Sequence, residues 1–161
     1  MAYIVPGMQL IPQTMNMSCW YASAQMVVQW RREWMQACEQ GVEDPSEDPM
    51  LETWKAKNAG ITDGQIVTLA KKLGLELIPP MSPTPGALED WLFQYGPLWT
   101  NGTSHITVIA GIRNLDVLVY DPWPPNEGRI GWRSLAKWYV GNTVSSRDVN
   151  TKSGVFMHCP R

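Results

Sequence analysis

The chain has 161 residues and a formal net charge of −2, which favours one domain over 1–161 with a sizeable core. The near-neutral charge, without basic runs, gives no reason to expect nucleic acid or an anionic membrane as the partner. No apolar stretch could span a bilayer, and the N-terminus lacks the charged region of a Sec signal peptide.

Three cysteines are an odd number, which argues against a disulfide framework. Cys38 and Cys159 could still pair if Cys19 remains a thiol. No CxxC motif is present, and the two histidines alone could complete a metal site, so we predict no metal and no cofactor. Nine tryptophans indicate core or interface packing, although a groove lined by tryptophan would also suit an extended peptide.

The first half of the chain is predicted to be a helical lobe over about 13–78. An extended arm precedes it, and a long helix is predicted from Ser18 to Gln40, with Gly41 as its C-terminal glycine. Apolar residues surround most of this helix, which indicates a central helix covered on two sides. The elements predicted to follow are a polar loop over 41–49, helices near 50–58 and 63–73, a strand over 75–78 and a proline-rich connector over 79–83.

The second half is predicted to be a sheet lobe over about 96–159, after a helix that begins at Thr84 and Pro85. Helices followed by an antiparallel sheet describe an α+β protein. The strand that begins at His105 is uniformly apolar and should therefore be central. The predicted strands are 97–100, 105–112, 117–121, 128–132 and 155–159, with a short helix over 134–140.

Cys19 stands at the head of the long helix, where backbone N–H groups lack partners and the helix dipole is positive. Such a setting favours the thiolate, the nucleophilic form of cysteine. Gln13 is close enough in sequence to fold back and offer its side-chain amide to an oxygen held beside Cys19. This segment is therefore the first candidate for a reactive site.

A predicted hairpin supplies a candidate base and its orienting group. If its turn centres on Arg113, then His105 and Asp121 lie eight residues on either side of it. An antiparallel pair would then place them at one end of the sheet, with their side chains on the same face. We therefore expect His105 and Asp121 to interact.

These residues carry a family resemblance over 10–138. Gln13-x5-Cys19-Trp20, then Gly96-Pro97 with His105, then Asp121-Pro122, resembles the papain-like cysteine peptidases. Two bacterial branches are most similar: the double-glycine leader peptidase domains of bacteriocin exporters, and the effector proteases that bacteria inject into other cells. The resemblance implies a papain-like fold, in which a helical lobe with a long central helix packs on an antiparallel sheet. Papain has asparagine where this chain has Asp121, and the aspartate matches the bacterial branches.

The resemblance and the general logic of activated nucleophiles give each residue a role. Cys19 would attack the amide carbonyl, His105 would transfer protons and Asp121 would orient the imidazole. The side chain of Gln13 and the backbone N–H of Cys19 would stabilise the oxyanion. The tryptophans Trp20, Trp99 and Trp123 are candidates for the wall of the substrate cleft, with ordinary core packing as the alternative.

Taken singly, each of these residues has a plain structural interpretation, and the hypothesis rests on their joint occurrence in this order. His158 and Cys159 form a competing pair. Adjacent residues of a strand point to opposite faces, so these two cannot engage each other through their side chains. We interpret both as structural.

The leading hypothesis is a cysteine endopeptidase that acts on a protein or peptide substrate. The resemblance implies an effector toxin, delivered by a specialised secretion system into the cytoplasm of a target cell and restrained by a cognate immunity or inhibitor protein. It also implies a preference for small residues, such as Gly-Gly, before the cut. The alternatives are a deamidase or amidase toxin with the same Cys-His-Asp chemistry, and a non-catalytic papain-like binding module.

Overall fold

The computed structural model describes residues 2–35, 44–79, 83–102, 105–136 and 156–160. Helices precede strands along the chain, which confirms the α+β class. Besides a π-helical turn (Arg31–Met35) and a 3-10 turn (Pro45–Glu47), the helices are α1 (Cys19–Trp30), α2 (Pro49–Ala56), α3 (Asp63–Leu73) and α4 (Pro85–Tyr95). The strands are β1 (Ala2–Ile4), β2 (Glu76–Ile78), β3 (Leu98–Asn101), β4 (Ile106–Arg113), β5 (Asp116–Asp121), β6 (Arg129–Ser134) and β7 (Phe156–His158).

The long helix α1 begins at Cys19, and most of its residues are buried, as its apolar surface predicts. Ser18 occupies the N-cap position, but its side chain makes no capping bond to the helix. The α-helix passes into the π-helical turn instead of continuing in one form. The predicted end of this helix at Gln40 and Gly41 lies outside the described residues.

Helices α3 and α4 begin at the residues that their sequences predict, whereas α2 begins one residue and ends two residues before its predicted bounds of 50–58. Thr62 and Gln65 form a reciprocal capping box at the start of α3, and Gly74 ends that helix in the left-handed conformation. Thr84 accepts a hydrogen bond from Ala87 N at the start of α4. The predicted loop over 41–49 also contains the 3-10 turn, and most of the helix predicted over 134–140 lies outside the described residues.

Seven strands in the described ranges form one antiparallel sheet in the order β2-β7-β3-β4-β5-β6, with β1 paired to the far end of β4. The central strand β4 is buried over all but its last residue, which confirms the prediction from its apolar run. The sheet is covered on both faces. Leu98 of β3 packs with the α4 residue Leu92, and Trp99 packs with Val27 of α1.

None of the helices in the described ranges has the length and apolar character needed to cross a bilayer.

Candidate active site

The loop before α1 is held by its own side chains. The hydroxyl of Ser18 accepts a hydrogen bond from Met15 N and donates one to Met15 O, both at 3.1 Å. Asn58 Oδ1 accepts a hydrogen bond from Met17 N at 2.9 Å and ties the loop to the segment after α2. These bonds fix the path by which the chain delivers the half-buried Cys19 to the first position of α1.

Gln13 joins this loop to the turn that follows Asp121. Its side-chain Nε2 donates to Met15 O at 2.8 Å and to Asn16 O at 2.9 Å. Its backbone N–H donates to Pro122 O at 3.0 Å, and its carbonyl accepts from Asn126 N at 2.8 Å. Both amide hydrogens of the buried side chain are therefore engaged within the loop, and an oxyanion could bind one only by displacing a backbone carbonyl.

His105 lies between two of the predicted partners. Its Nε2 is 2.5 Å from Asp121 Oδ1, and the Cys19 side chain lies near enough to the ring to help raise its pKa. Since Nε2 is engaged by Asp121, Nδ1 is the ring nitrogen left to exchange a proton with the sulfur. His105 O accepts from Gly102 N at 2.9 Å, which closes the connection between β3 and β4 directly beside the imidazole.

A β-bulge in the hairpin puts His105 and Asp121 on the same face. Near the turn, Gly111 pairs with Leu118, and this register would continue to place Asp121 opposite Val108. Residues 105 and 108 are three apart and would face opposite sides of the strand. The extra residue Ala110 shifts the register, so that Asp121 stands opposite residue 107, on the same face as His105.

The hairpin prediction was therefore right about the shared face and approximate about the register. The two-residue turn lies between Arg113 and Asp116, later than the predicted centre, and its tip has Asn114 in the left-handed conformation. The carbonyl of the bulged Ala110 accepts from Val5 N at 2.8 Å, which satisfies a group that the ladder leaves out.

The Asp121 carboxylate is buried and accepts three hydrogen bonds. Oδ1 accepts from His105 Nε2 and from Trp123 N at 2.9 Å, and Oδ2 accepts from Arg133 Nη2 at 2.7 Å. Burial raises the pKa of Asp121, but the bonds from His105, Trp123 and Arg133 outweigh it and hold this pKa below its ordinary value. Sequence reasoning missed Arg133, because an arginine on an edge strand looks like an ordinary solvated residue.

The electrostatics of His105 follow from the same contacts. Burial of the ring lowers its pKa, but hydrogen bonds and charge interactions with Asp121 and Cys19 outweigh burial and raise the pKa to about 9. The imidazole is therefore protonated at neutral pH. Its side chain is 32% exposed, so a proton can pass between this ring and a molecule bound at the surface.

The three candidate tryptophans lie in different environments. Trp99 and Trp20 are fully buried in the core, and Trp99 Nε1 donates to Trp20 O at 3.1 Å, which docks α1 on β3. Their burial does not support the prediction that they contact substrate. Trp123 is 41% exposed and adjoins Asp121, so it alone of the three presents a surface beside the site.

His158 and Cys159, the competing pair, make packing contacts and hydrogen bonds to backbone carbonyls, in line with the prediction that both are structural. The ring of His158 stacks on Tyr95 with 3.8 Å between centroids, and Nδ1 pairs with Cys159 O at 2.7 Å. The thiol of Cys159 donates to Val27 O at 3.6 Å in the core. Cys38 lies outside the described residues. Within those residues, no cluster of His, Cys, Asp and Glu has the arrangement of a metal site.

Comparison with known proteins identifies the family. The model of the family described as papain-like cysteine protease AvrRpt2 matches residues 2–142, which is most of the chain. No curated protein and no solved structure shows significant similarity. The chain therefore belongs to the AvrRpt2 family of papain-like cysteine proteases, which confirms the predicted resemblance, fold and enzyme class.

Proposed function

We propose that this cysteine protease cleaves peptide bonds in a protein substrate, with Cys19 as nucleophile, His105 as general acid and base, and Asp121 as the group that orients His105. The observation that carries the proposal is the position of His105, whose Nε2 is 2.5 Å from Asp121 Oδ1 and whose pKa is raised by both Asp121 and the nearby Cys19. A protonated imidazole in contact with a sulfur nucleophile is the arrangement that acyl transfer to a thiol requires.

The reaction follows from these contacts. Cys19 Sγ attacks the carbonyl carbon and forms a tetrahedral intermediate, whose oxyanion is stabilised by the backbone N–H of Cys19 at the head of α1. His105 then gives its proton to the leaving amine, and the C–N bond breaks to leave an acyl-thioester. Water attacks the thioester, His105 accepts the proton of this water, and the C–S bond breaks to release the second fragment.

Gln13 acts at two points in this proposal. Its backbone and side chain hold the loop of Cys19 against the turn after Asp121. As the oxyanion forms, its negative charge competes with the carbonyls of Met15 and Asn16 for the amide hydrogens. A charged acceptor makes a stronger hydrogen bond than a neutral carbonyl, which favours the exchange in the transition state.

The setting of the reaction comes from the family. A match to the AvrRpt2 family supports the effector branch of the predicted resemblance: a protease delivered by a specialised secretion system into the cytoplasm of a target cell. A cognate immunity or inhibitor protein remains a prediction. The Gly-Gly preference derives from the leader-peptidase branch and likewise remains a prediction, which cleavage of a peptide library would test.

The test is a lysate treated with the wild type or with Cys19→Ala, followed by N-terminal sequencing of the fragments. We expect new N-termini with the wild type and none with the variant. A matched control is Cys159→Ala, which removes the buried thiol and leaves the proposed nucleophile. Cleavage by folded Cys19→Ala at the wild-type rate would falsify the mechanism.

The same treated samples discriminate the alternatives. Intact chains with the mass gain of a deamidated side chain, and no fragments, would assign the site to deamidation. Iodoacetamide at mildly acidic pH should label Cys19 faster than Cys159, because the first thiol contacts His105 and the second is buried. A Cys19 thiol that is no more reactive than Cys159 would favour the non-catalytic binding module.

A further inference from the structure

Oδ2 of Asp121, the oxygen that does not contact His105, has its own partner on the edge strand β6. Arg133 Nη2 lies 2.7 Å from Oδ2, while Oδ1 carries the bonds from His105 and from Trp123 N. The two oxygens are thus divided between two cations. A carboxylate with hydrogen bonds to both oxygens has little freedom to rotate about its Cβ–Cγ bond.

The sheet register shows that the arginine paired with Asp121 is not the one that stands opposite it. Arg129 stands directly opposite Asp121, and Arg133 stands opposite Val117, four residues farther along the same face of β6. Arg133 nevertheless reaches back along the strand to the carboxylate. Arg129 is exposed and makes no ion pair within the described part of the chain. Two arginines on one face of one strand therefore differ in whether they contact Asp121.

We propose that Arg133 is a positioning residue that acts through Asp121: it holds Oδ1 towards His105 and offsets part of the carboxylate charge that the imidazole experiences. This inference rests on the proposed roles of His105 and Asp121. It adds a fourth side chain to the site and places it outside the path of the reacting atoms.

The charge argument has a definite sign. Among the described residues, the charged and titratable groups that act on His105 are Asp121 from β5 and Cys19 from α1, and Arg133 from β6 contacts Asp121 in turn. Removing the positive charge of Arg133 leaves the full carboxylate charge to His105, so the pKa of His105 should rise. Loss of the Asp121–His105 contact would have the opposite effect, because that contact itself raises the pKa of the ring.

The experiment compares Arg133→Met with the wild type. The chain has two histidines, so their imidazole proton resonances can be followed by NMR across a pH series. We expect the His105 pKa to rise by roughly half a unit to one unit. Turnover should fall by about tenfold with KM unchanged, since a more basic imidazolium is a weaker acid towards the leaving amine. Arg133→Lys should recover most of the His105 pKa, but less of the turnover, because lysine lacks the planar fork.

Arg129→Met is the matched control, and it should leave both the His105 pKa and turnover unchanged. In an Asp121→Asn background, Arg133→Met should have no further effect on turnover, because the carboxylate that Arg133 positions is no longer present. A fall in the His105 pKa of folded Arg133→Met, or additive losses of turnover in the double variant, would overturn the proposal. Failure of the Cys19→Ala test would instead overturn the proposed function and leave the His105 titration as an independent result.

Discussion

The two histidines of this chain show that burial alone does not set the state of an imidazole. The ring of His158 is buried at the end of β7, stacked on Tyr95, and its Nδ1 faces a backbone carbonyl. Burial lowers the pKa of His158, and the carbonyl of Cys159 and the charge of Glu76 do not offset it. His105 is also largely enclosed, yet its pKa rises to about 9 because Asp121 and Cys19 contact it directly.

The comparison teaches that hydrogen-bond partners, and not position in the sheet, separate a histidine whose pKa is raised from one whose pKa is lowered. Burial outweighs the charge of Glu76 and favours the uncharged form of the His158 ring, which packs as an aromatic group. Direct contact with a carboxylate and a thiol keeps the His105 ring charged, so it holds a proton ready for transfer. The two environments can be tested separately, because they share no hydrogen-bond partner within the described residues.

The largest expected effect comes from removing each imidazole in turn. His105→Gln should reduce turnover by about a thousandfold or more, because the proton carrier is lost. His158→Gln should leave turnover within severalfold of the wild type. Turnover measured on a cleaved substrate, with circular dichroism to verify folding, checks both variants. Equal losses of turnover in the two folded variants would contradict the contrast between the two histidines.

Asp121→Asn should have the next largest effect. The amide cannot hold the imidazolium by charge, so the pKa of His105 should fall from about 9 towards its ordinary value. We expect turnover to fall by about a hundredfold and its alkaline limit to move to lower pH. Asp116→Asn, at the other end of β5, is the control and should change neither quantity. An unmoved alkaline limit would mean that Asp121 does not set the charge of His105.

The two histidines should also give opposite dependences of stability on pH. The pKa of His105 is raised on folding, so its contribution is fully present below about pH 6.5 and is lost as pH rises through about 9. The pKa of His158 is lowered, so its contribution is present above about pH 6.5 and is lost as pH falls towards the folded value. Allowing for partial exposure, His105 should contribute about 2 kcal/mol.

Urea unfolding of the wild type, His105→Gln and His158→Gln at a series of pH values checks these signs. The first variant should lose the alkaline part of the pH dependence, and the second the part just below neutrality. A changed slope in the alkaline range for His158→Gln, or just below neutrality for His105→Gln, would contradict the comparison.

The smallest expected effect is that of Trp123→Ala. Its backbone N–H would still donate to Asp121, so the pKa of His105 should not change. Loss of the exposed indole should raise KM about threefold to tenfold with turnover unchanged, if it contacts the substrate. Ile130→Ala removes an exposed apolar side chain from β6 and is the control. An unchanged KM in Trp123→Ala would remove Trp123 from the substrate cleft.

Much of the fold was predictable because its signals are local. Thr62, Gly74 and Thr84 define helix ends by side-chain and backbone chemistry that involves neighbouring residues only. The uniformly apolar run of β4 likewise predicts a central strand. Local signals of this kind do not depend on which distant segment the chain meets.

The rest depends on distant contacts. The apolar run from Ile106 to Ile112 has no alternation, so the sequence contains nothing that locates the bulge at Ala110. Tryptophan is compatible with both core and surface, so Trp99 and Trp123 could not be distinguished. Arg133 gave no signal because its role is defined by the carboxylate that it reaches.

The single unpaired residue at Ala110 constrains how this hairpin can change during evolution. Adding or deleting one residue within the paired part of either strand would turn the acid away from the ring, whereas a change of two residues there would preserve their alignment. Length variation within the strands of related hairpins should therefore occur in even steps, or as odd steps that come with a second irregularity in either strand, whereas the turn itself can vary freely.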